Sequence, residues 1–359
     1  MYFVYSPFRK RVQCCVAMPI VDSLAYLYRV ETAFKYAQCI LFLNGLLCCD
    51  MMRERARRSR SYVRLLATVQ CSIPSPVPSS HPAPPCSNLT KFYFEPMTVS
   101  AVLKRPSSLD TIKALGLDGV SNRLLKECAS VLAEPLTHIF NVSFEKCCFP
   151  YRWKQAVVKP LYKRKGAKND PASYRPIALL PCVSKILEGL AREQLLSHCL
   201  SVDAIPDEQY GFLPKRSTVW QLLAVLDDWE CALDTKKCIH SCFIDIAKAF
   251  DRVDHNLLLR KLADIGECGP SLSWFGCYLS GRCICTRVDD SLSSFRRISS
   301  GVPQGSVPGP LLFIIYFRDL PSVVNSCCAM FAEDTLLYDC DCNSGSVSLG
   351  MNNVGHAAV

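Results

Sequence analysis

No Cys-x-x-Cys occurs in this chain despite its 23 cysteines, and no histidine stands at finger or knuckle spacing from a cysteine pair. That absence excludes the common zinc modules. The adjacent pairs Cys14-Cys15, Cys48-Cys49, Cys147-Cys148 and Cys327-Cys328 are too close for an ordinary bridge within a pair, and the rest follow no regular spacing. A disulfide scaffold is excluded, and free thiols in a reducing, intracellular compartment are expected. Acidic blocks are missing too, so the net charge of +9 favours a polyanionic partner. The most apolar run near the N-terminus, 36–49, is flanked or interrupted by Lys35, Gln38 and Asn44 and is short of a membrane span. Arg9, Lys10, Arg11 and Arg29 are scattered instead of forming a leader before it. Neither a membrane anchor nor a signal peptide is expected.

Half of the 359 residues are hydrophobic, enough for a sizeable core in one large or two average domains. Residues 73–90 hold a Pro/Ser-rich run, beginning Ile73-Pro74-Ser75-Pro76, that cannot pack a core and marks a linker. It separates an unassigned basic segment, 1–72, with its run from Arg53 to Arg60, from the main region, 91–342. A Ser/Gly/Asn-rich tail, 343–359, reads as disordered.

The main region is organised around residues 242–255, where Asp245 sits inside an apolar run. Cys242, Phe243, Ile244 and Ile246 read as a short buried strand, in which an ionised Asp needs either backbone donors or a metal ion. Helical spacing follows at Leu257, Leu258, Leu262 and Ile265, with Gly266 as the stop. Further along, Cys328 to Ala332 and Leu336-Leu337-Tyr338 read as the arms of a hairpin with Glu333 and Asp334 at its tip. The stretch from Pro150 alternates into a strand ending in Lys163, Arg164 and Lys165, and Tyr174-Arg175-Pro176-Ile177 begins the return. Leu124, Leu125, Cys128, Val131 and Leu132 fit one core helix, 184–200 a second, and Leu311–Tyr316 a third.

Five blocks in a fixed order carry a family resemblance: Asp118-Gly119 through Trp153-Lys154, Tyr174 to Ile177, the Asp245 stretch, Ser300-Gly301-Val302-Pro303-Gln304-Gly305-Ser306, and Phe331-Ala332-Glu333-Asp334-Thr335. Together they resemble the reverse transcriptases of LINE-type, non-LTR, jockey-like retrotransposons. The resemblance implies an α+β fold, the fingers and palm of a right-hand polymerase with an antiparallel palm sheet, and no thumb or endonuclease is read in this chain. It implies RNA-directed DNA synthesis on an RNA template and DNA primer from deoxynucleoside triphosphates.

Asp245, Glu333 and Asp334 would be the catalytic residues and the ligands of two Mg2+ ions, which favour hard oxygen donors. Arg175, Lys159 and Lys163 would meet the triphosphate, Phe250 would exclude a ribose 2′-hydroxyl, and Gln304 would face the minor groove of the incoming pair. Gly211, Arg216, Ser217 and Gly305 would contact template and primer. The chain departs from its relatives at Glu333, where they carry Asp, at Pro308, where they carry Leu, and at Leu213, where Arg is frequent. Two alternatives stay open beside an active enzyme: an impaired remnant that only binds nucleic acid, and a non-functional translated fragment. Oligomeric state is not set by the sequence.

Overall fold

The computed structural model describes residues 91–246, 248–289 and 291–341. The readings for 1–72, the 73–90 linker and the 343–359 tail lie outside them. Thr98 and Ser121 each accept the N–H three residues ahead, and these caps start helices α1 (Val99–Ser107) and α2 (Asn122–Glu127). The single helix read through Leu132 is in fact two, because Cys128, at φ −101° and ψ 13°, ends α2 and starts α3 (Ala129–Glu145). The break turns Val131 outward to 40% exposure.

Strands β1 (Gln155–Tyr162) and β2 (Tyr174–Leu179) form the expected hairpin, paired from Val157↔Leu179 to Tyr162↔Tyr174. Helix α4 (Cys182–Ser201) buries Ile186, Leu187, Leu190 and Leu195 as its spacing predicts. Helix α5 (Thr218–Asp234) leads to β3 (Cys238–Ile244), then α6 (His255–Asp264) and α7 (Gly269–Leu279). Strands β4 (Cys283–Val288), β5 (Ser291–Leu292) and β6 (Arg296–Arg297) precede α8 (Gly309–Phe317), the short α9 (Leu320–Val323), and the hairpin β7 (Cys327–Phe331) and β8 (Asp334–Asp341). Pro308 is the N-cap of α8, outside the turn where a missing N–H would cost a helical bond.

Among the described residues the strands form two sheets. One runs β2-β1-β4-β5 with β6 also on β4, and β1 and β4 are parallel. The other, β3-β8-β7, is antiparallel throughout. Val225 of α5, with Trp229, packs on its Ala329, Leu336 and Tyr338. The place of β3 corrects the expectation of a buried strand at Asp245. It is an edge strand of this sheet, none of its residues is buried, and Phe243, on the same face as Leu336, stands 77% exposed. A second core is aromatic, with Phe149, Trp153, Trp274 and Tyr278 fully buried and packed largely edge to face. No helix among the described residues is long and apolar enough to cross a membrane.

Glu267 is fully buried in a parallel bridge to Phe92, and neither carboxyl oxygen has a hydrogen-bond partner. Burial pushes its pKa up to about 8, against a weaker opposing pull from Ser271, whose hydroxyl is given to the Phe92 and Cys268 carbonyls. Asp118 is raised to about 6, again by burial, against the Val120 N–H it accepts. Below about pH 4 folded and unfolded chains both hold these protons; above it the unfolded chain releases them first, so the contribution of these two carboxyls to stability falls as pH rises. Chemical denaturation of native and Glu267→Gln chains side by side at pH 5, 6.5 and 8 isolates this contribution from those of other titrating groups. The advantage of Glu267→Gln over native should widen between pH 6.5 and 8 and reach roughly 1–4 kcal/mol at pH 8. An unchanged slope would mean that Glu267 does not titrate in this window.

Candidate active site

The last rung between β3 and β8 pairs Ile244 with Thr335. Asp245 follows Ile244 directly, and Asp334 precedes Thr335 as the first residue of β8. The two carboxylates therefore stand at facing ends of adjacent strands, which lie about 4.8 Å apart. Both residues are exposed, and neither forms an ion pair among the described residues. Backbone donors do not account for Asp245 as they would for a buried carboxylate. Its exposure leaves its oxygens open to a ligand.

Glu333 sits one residue earlier, in the two-residue turn Ala332–Glu333 closed by the Phe331↔Asp334 pair. Ala332 holds φ +59°, the left-handed region in which a residue with a Cβ is strained. Among the described residues no three His, Cys, Asp or Glu side chains are grouped closely enough to hold a metal ion. Asp245, Glu333 and Asp334 are thus not a preassembled triad. Three carboxylates repel one another at close range unless a cation lies between them. The hard, exposed oxygens of Asp245 and Asp334 are the donor type that a divalent ion such as Mg2+ takes.

The turn is braced from a distant segment. Tyr210 N–H donates to Met330 O and Met330 N–H to Glu208 O, both at 2.8 Å, adding a parallel rung to β7. The buried Gln209 accepts two N–H bonds at one oxygen, from Gly211 at 2.8 Å and from Ala332 at 2.9 Å. A Cβ on Gly211 would lie 2.4 Å from the Ala332 nitrogen. The close approach that this glycine permits is to the chain's own turn. Gln209 was not singled out as a site residue, because its partner Ala332 lies 123 positions away and no local pattern announces the bond.

Arg216 and Ser217 also work on this brace. The Arg216 guanidinium donates to the carbonyls of Pro206, Asp207 and Gln209, pairs with the Asp207 carboxylate at 2.6 Å, and lies over the Tyr210 ring. Ser217 caps α5 by accepting the Trp220 N–H. Leu213 is buried beside them.

Phe250 lies in a 3-10 turn, Ala249–Arg252, just after Asp245. Its ring stacks on Phe313 of α8 at 4.4 Å and meets Phe212 edge-on at 6.2 Å. Gln304 donates its amide N–H to the Asp251 carboxylate at 2.8 Å. Gly301 and Val302 give their N–H groups to Val253 and Phe250, so the 300–306 loop rests on this turn. Gly305, at φ +89°, seats the loop against Ala178 of β2, where a Cβ would come within 2.8 Å of the carbonyl oxygen. From below, the buried Glu188 accepts the Val307 N–H at 3.0 Å.

On the hairpin, Lys159 faces Ile177 and Leu161 faces Arg175, so the two cations share one sheet face, two positions apart. Both are exposed, as is Lys163, which follows β1 and gives its N–H to Ser173. Through Gly305 and Ala178, this basic hairpin touches the loop that carries Gln304.

A family model described as reverse transcriptase (RNA-dependent DNA polymerase) matches residues 163–346, just over half of the chain. The chain belongs to the reverse transcriptase family. Its relatives include a probable RNA-directed DNA polymerase from transposon X-element of Drosophila melanogaster, 36% identical over 67% of this chain and 27% of that protein. A probable RNA-directed DNA polymerase from transposon BS of the same species is 34% identical over 69% of this chain and 28% of its own. The RNA-directed DNA polymerase from mobile element jockey, also from that fly, is 34% identical over 63% and 25%. These are the LINE-type kin that the motif order indicated. The reverse transcriptase sequence described here spans about a quarter of the length of these relatives.

The brace at the turn makes a stability prediction. Gln209→Leu leaves the buried N–H groups of Gly211 and Ala332 without an acceptor, at roughly 1–3 kcal/mol each. A urea titration should show a lower midpoint at unchanged slope. An unchanged midpoint would show that Gln209 does not hold the turn.

Proposed function

We propose that the antiparallel sheet β3-β8-β7 is the palm of a right-hand polymerase and the β1–β2 hairpin its fingers, and that the chain contributes the centre for RNA-templated DNA synthesis. The reaction transfers a deoxynucleotide from its triphosphate to a primer 3′-hydroxyl. One observation carries this reading: the register sets Asp245 and Asp334 at facing strand ends in a chain whose family polymerises DNA on RNA. Asp245 and Asp334, with Glu333 beside them, would hold two Mg2+ ions. When bound, such ions supply Lewis-acid activation of the hydroxyl and charge neutralisation on the triphosphate.

The chain's own residues do the rest. Lys159, Lys163 and Arg175 attract the triphosphate, and the planar fork of Arg175 gives directed bonds that a lysine cannot. Phe250, clamped between Phe313 and Phe212, presents a fixed ring toward the sugar and disfavours a 2′-hydroxyl by clash. Gln304 is oriented by Asp251 and reads the minor-groove side of the new pair. Gly211, Gly305, Arg216 and Ser217 set the walls along which template and primer run.

A second reading rests on Glu333. Its carboxylate reaches one methylene further than Asp, and the three acids are not grouped in the structure. On this reading the chain binds primer–template and catalyses poorly. Primer extension separates the two when residues of the jockey polymerase matched by this chain are replaced with native, Glu333→Asp or Asp245→Ala sequence. We expect Glu333→Asp to extend at least tenfold faster than native, a gain of about 1.4 kcal/mol in transition-state stabilisation, and Asp245→Ala to be silent. Equal activity in all three would remove Asp245 from the site.

Binding gives an independent measure. The affinity for primer–template should fall linearly on a log–log salt plot, and Lys159→Ala or Arg175→Ala should each lower the slope by about 1. Binding indifferent to salt would leave the basic hairpin without a phosphate partner.

A further inference from the structure

Away from the carboxylates, α7 carries Cys277 against the turn that joins α3 to β1. The Cys277 sulfur accepts the Phe149 N–H and the Lys154 ammonium, both at 3.3 Å. Lys154 is only 8% exposed and has no carboxylate ion pair among the described residues, so this sulfur is its anionic partner. Cys148 immediately precedes Phe149, with its sulfur 4.0 Å from the Phe149 carbonyl, so the bond from the Phe149 N–H brings this thiol beside the Cys277 sulfur, and Cys147 stands one residue before Cys148. A buried ammonium facing a sulfur with two thiols at hand is more than a chance cysteine cluster, since an unpaired charge at this depth is costly.

The charge distribution agrees. The neighbouring Cys148 thiol, then the Lys154 ammonium and the Phe149 N–H, draw Cys277 below the usual thiol range against the opposing effect of burial. Cys148 moves the opposite way, raised first by the neighbouring Cys277 sulfur and then by burial. These surroundings favour the thiolate at Cys277 and the thiol at Cys148. That division gives a nucleophile and a resolving group side by side.

We propose that Cys277 and Cys148 form an oxidisable thiol pair, a modification site for hydroperoxides separate from the polymerase centre. In the first step the Cys277 thiolate attacks one peroxide oxygen, forming an S–O bond as the O–O bond breaks. The leaving oxygen departs as hydroxide or alkoxide and takes a proton from water. In the second step the Cys148 sulfur attacks the sulfenic sulfur, forming the S–S bond, and the departing hydroxide leaves with the thiol proton as water. Two electrons pass from the two sulfurs to the peroxide. Lys154 then loses its anionic partner while still buried, immediately before the first strand of the basic hairpin.

Two measurements on the full unmodified chain test this, so neither depends on the folding of a variant. At pH 6, iodoacetamide followed by peptide mass spectrometry should label Cys277 at least roughly tenfold faster than the exposed Cys231, since only the thiolate reacts. Hydrogen peroxide at the same pH should give a Cys148–Cys277 cross-linked peptide that dithiothreitol removes. A Lys154→Met chain should lose the preferential labelling, whereas a purely structural lysine would leave it intact. Labelling of Cys277 no faster than Cys231, or peroxide treatment without that peptide, would overturn the proposal.

Discussion

Everything proposed for the catalytic centre depends on the register of one ladder, the seven rungs from Cys238↔Asp341 to Ile244↔Thr335. Side chains alternate along a strand, so a slip by one residue would turn Asp245 to the opposite face of the sheet and uncouple it from Asp334. The register is fixed from both faces, with Thr335, Leu337 and Met330 buried on one and Ala329, Leu336 and Tyr338 on the other. Val225 and Trp229 of α5 pack against Ala329, Leu336 and Tyr338, and the Tyr338 hydroxyl bonds to Asp228 on the same helix.

Around that ladder the chain uses backbone bonds to hold short loops still. The 208–211 segment adds a rung to β7 and fixes the Ala332 turn through a single glutamine oxygen, while Arg216 clamps the segment from behind. The 300–306 loop is held in the same manner, by Val253 and Phe250 above and Glu188 below. In both, a glycine stands where a side chain would strike backbone: Gly211 at Ala332 and Gly305 at Ala178. Loops built this way carry reactive groups on a rigid support, which is what positional chemistry requires.

Much of this was legible in the chain before any coordinates. The two-strand hairpin with acids at its tip, the helix after Asp245, the apolar helix behind the Gln304 loop and the free cysteines all follow from spacing, and the order of blocks named the family. What escaped was non-local. The burial assigned to β3 failed because an apolar run looks the same in a central strand and at a sheet edge, and Phe243, on the edge strand, turns out to face solvent. The helix break at Cys128 lies in a pattern that remains periodic across it. Arg216 reads as a phosphate donor from its motif, whereas its carbonyl partners appear only once the 205–217 segment is folded back on itself.

The ladder also sets the order in which the protein can be made. Ile244 leaves the ribosome about ninety residues before Asp334, which at 5–20 residues per second is a wait of roughly 5–20 s. During that interval β3 has no partner strand, and the α5 residues Trp220, Leu223 and Leu226 are exposed even in the finished fold. An unpaired edge beside an apolar helix face is a template for association with other chains. Assembly of the acidic centre is therefore a late event in the life of the nascent chain, and yield in a foreign host will be governed by translation speed and chaperone supply before it is governed by equilibrium stability.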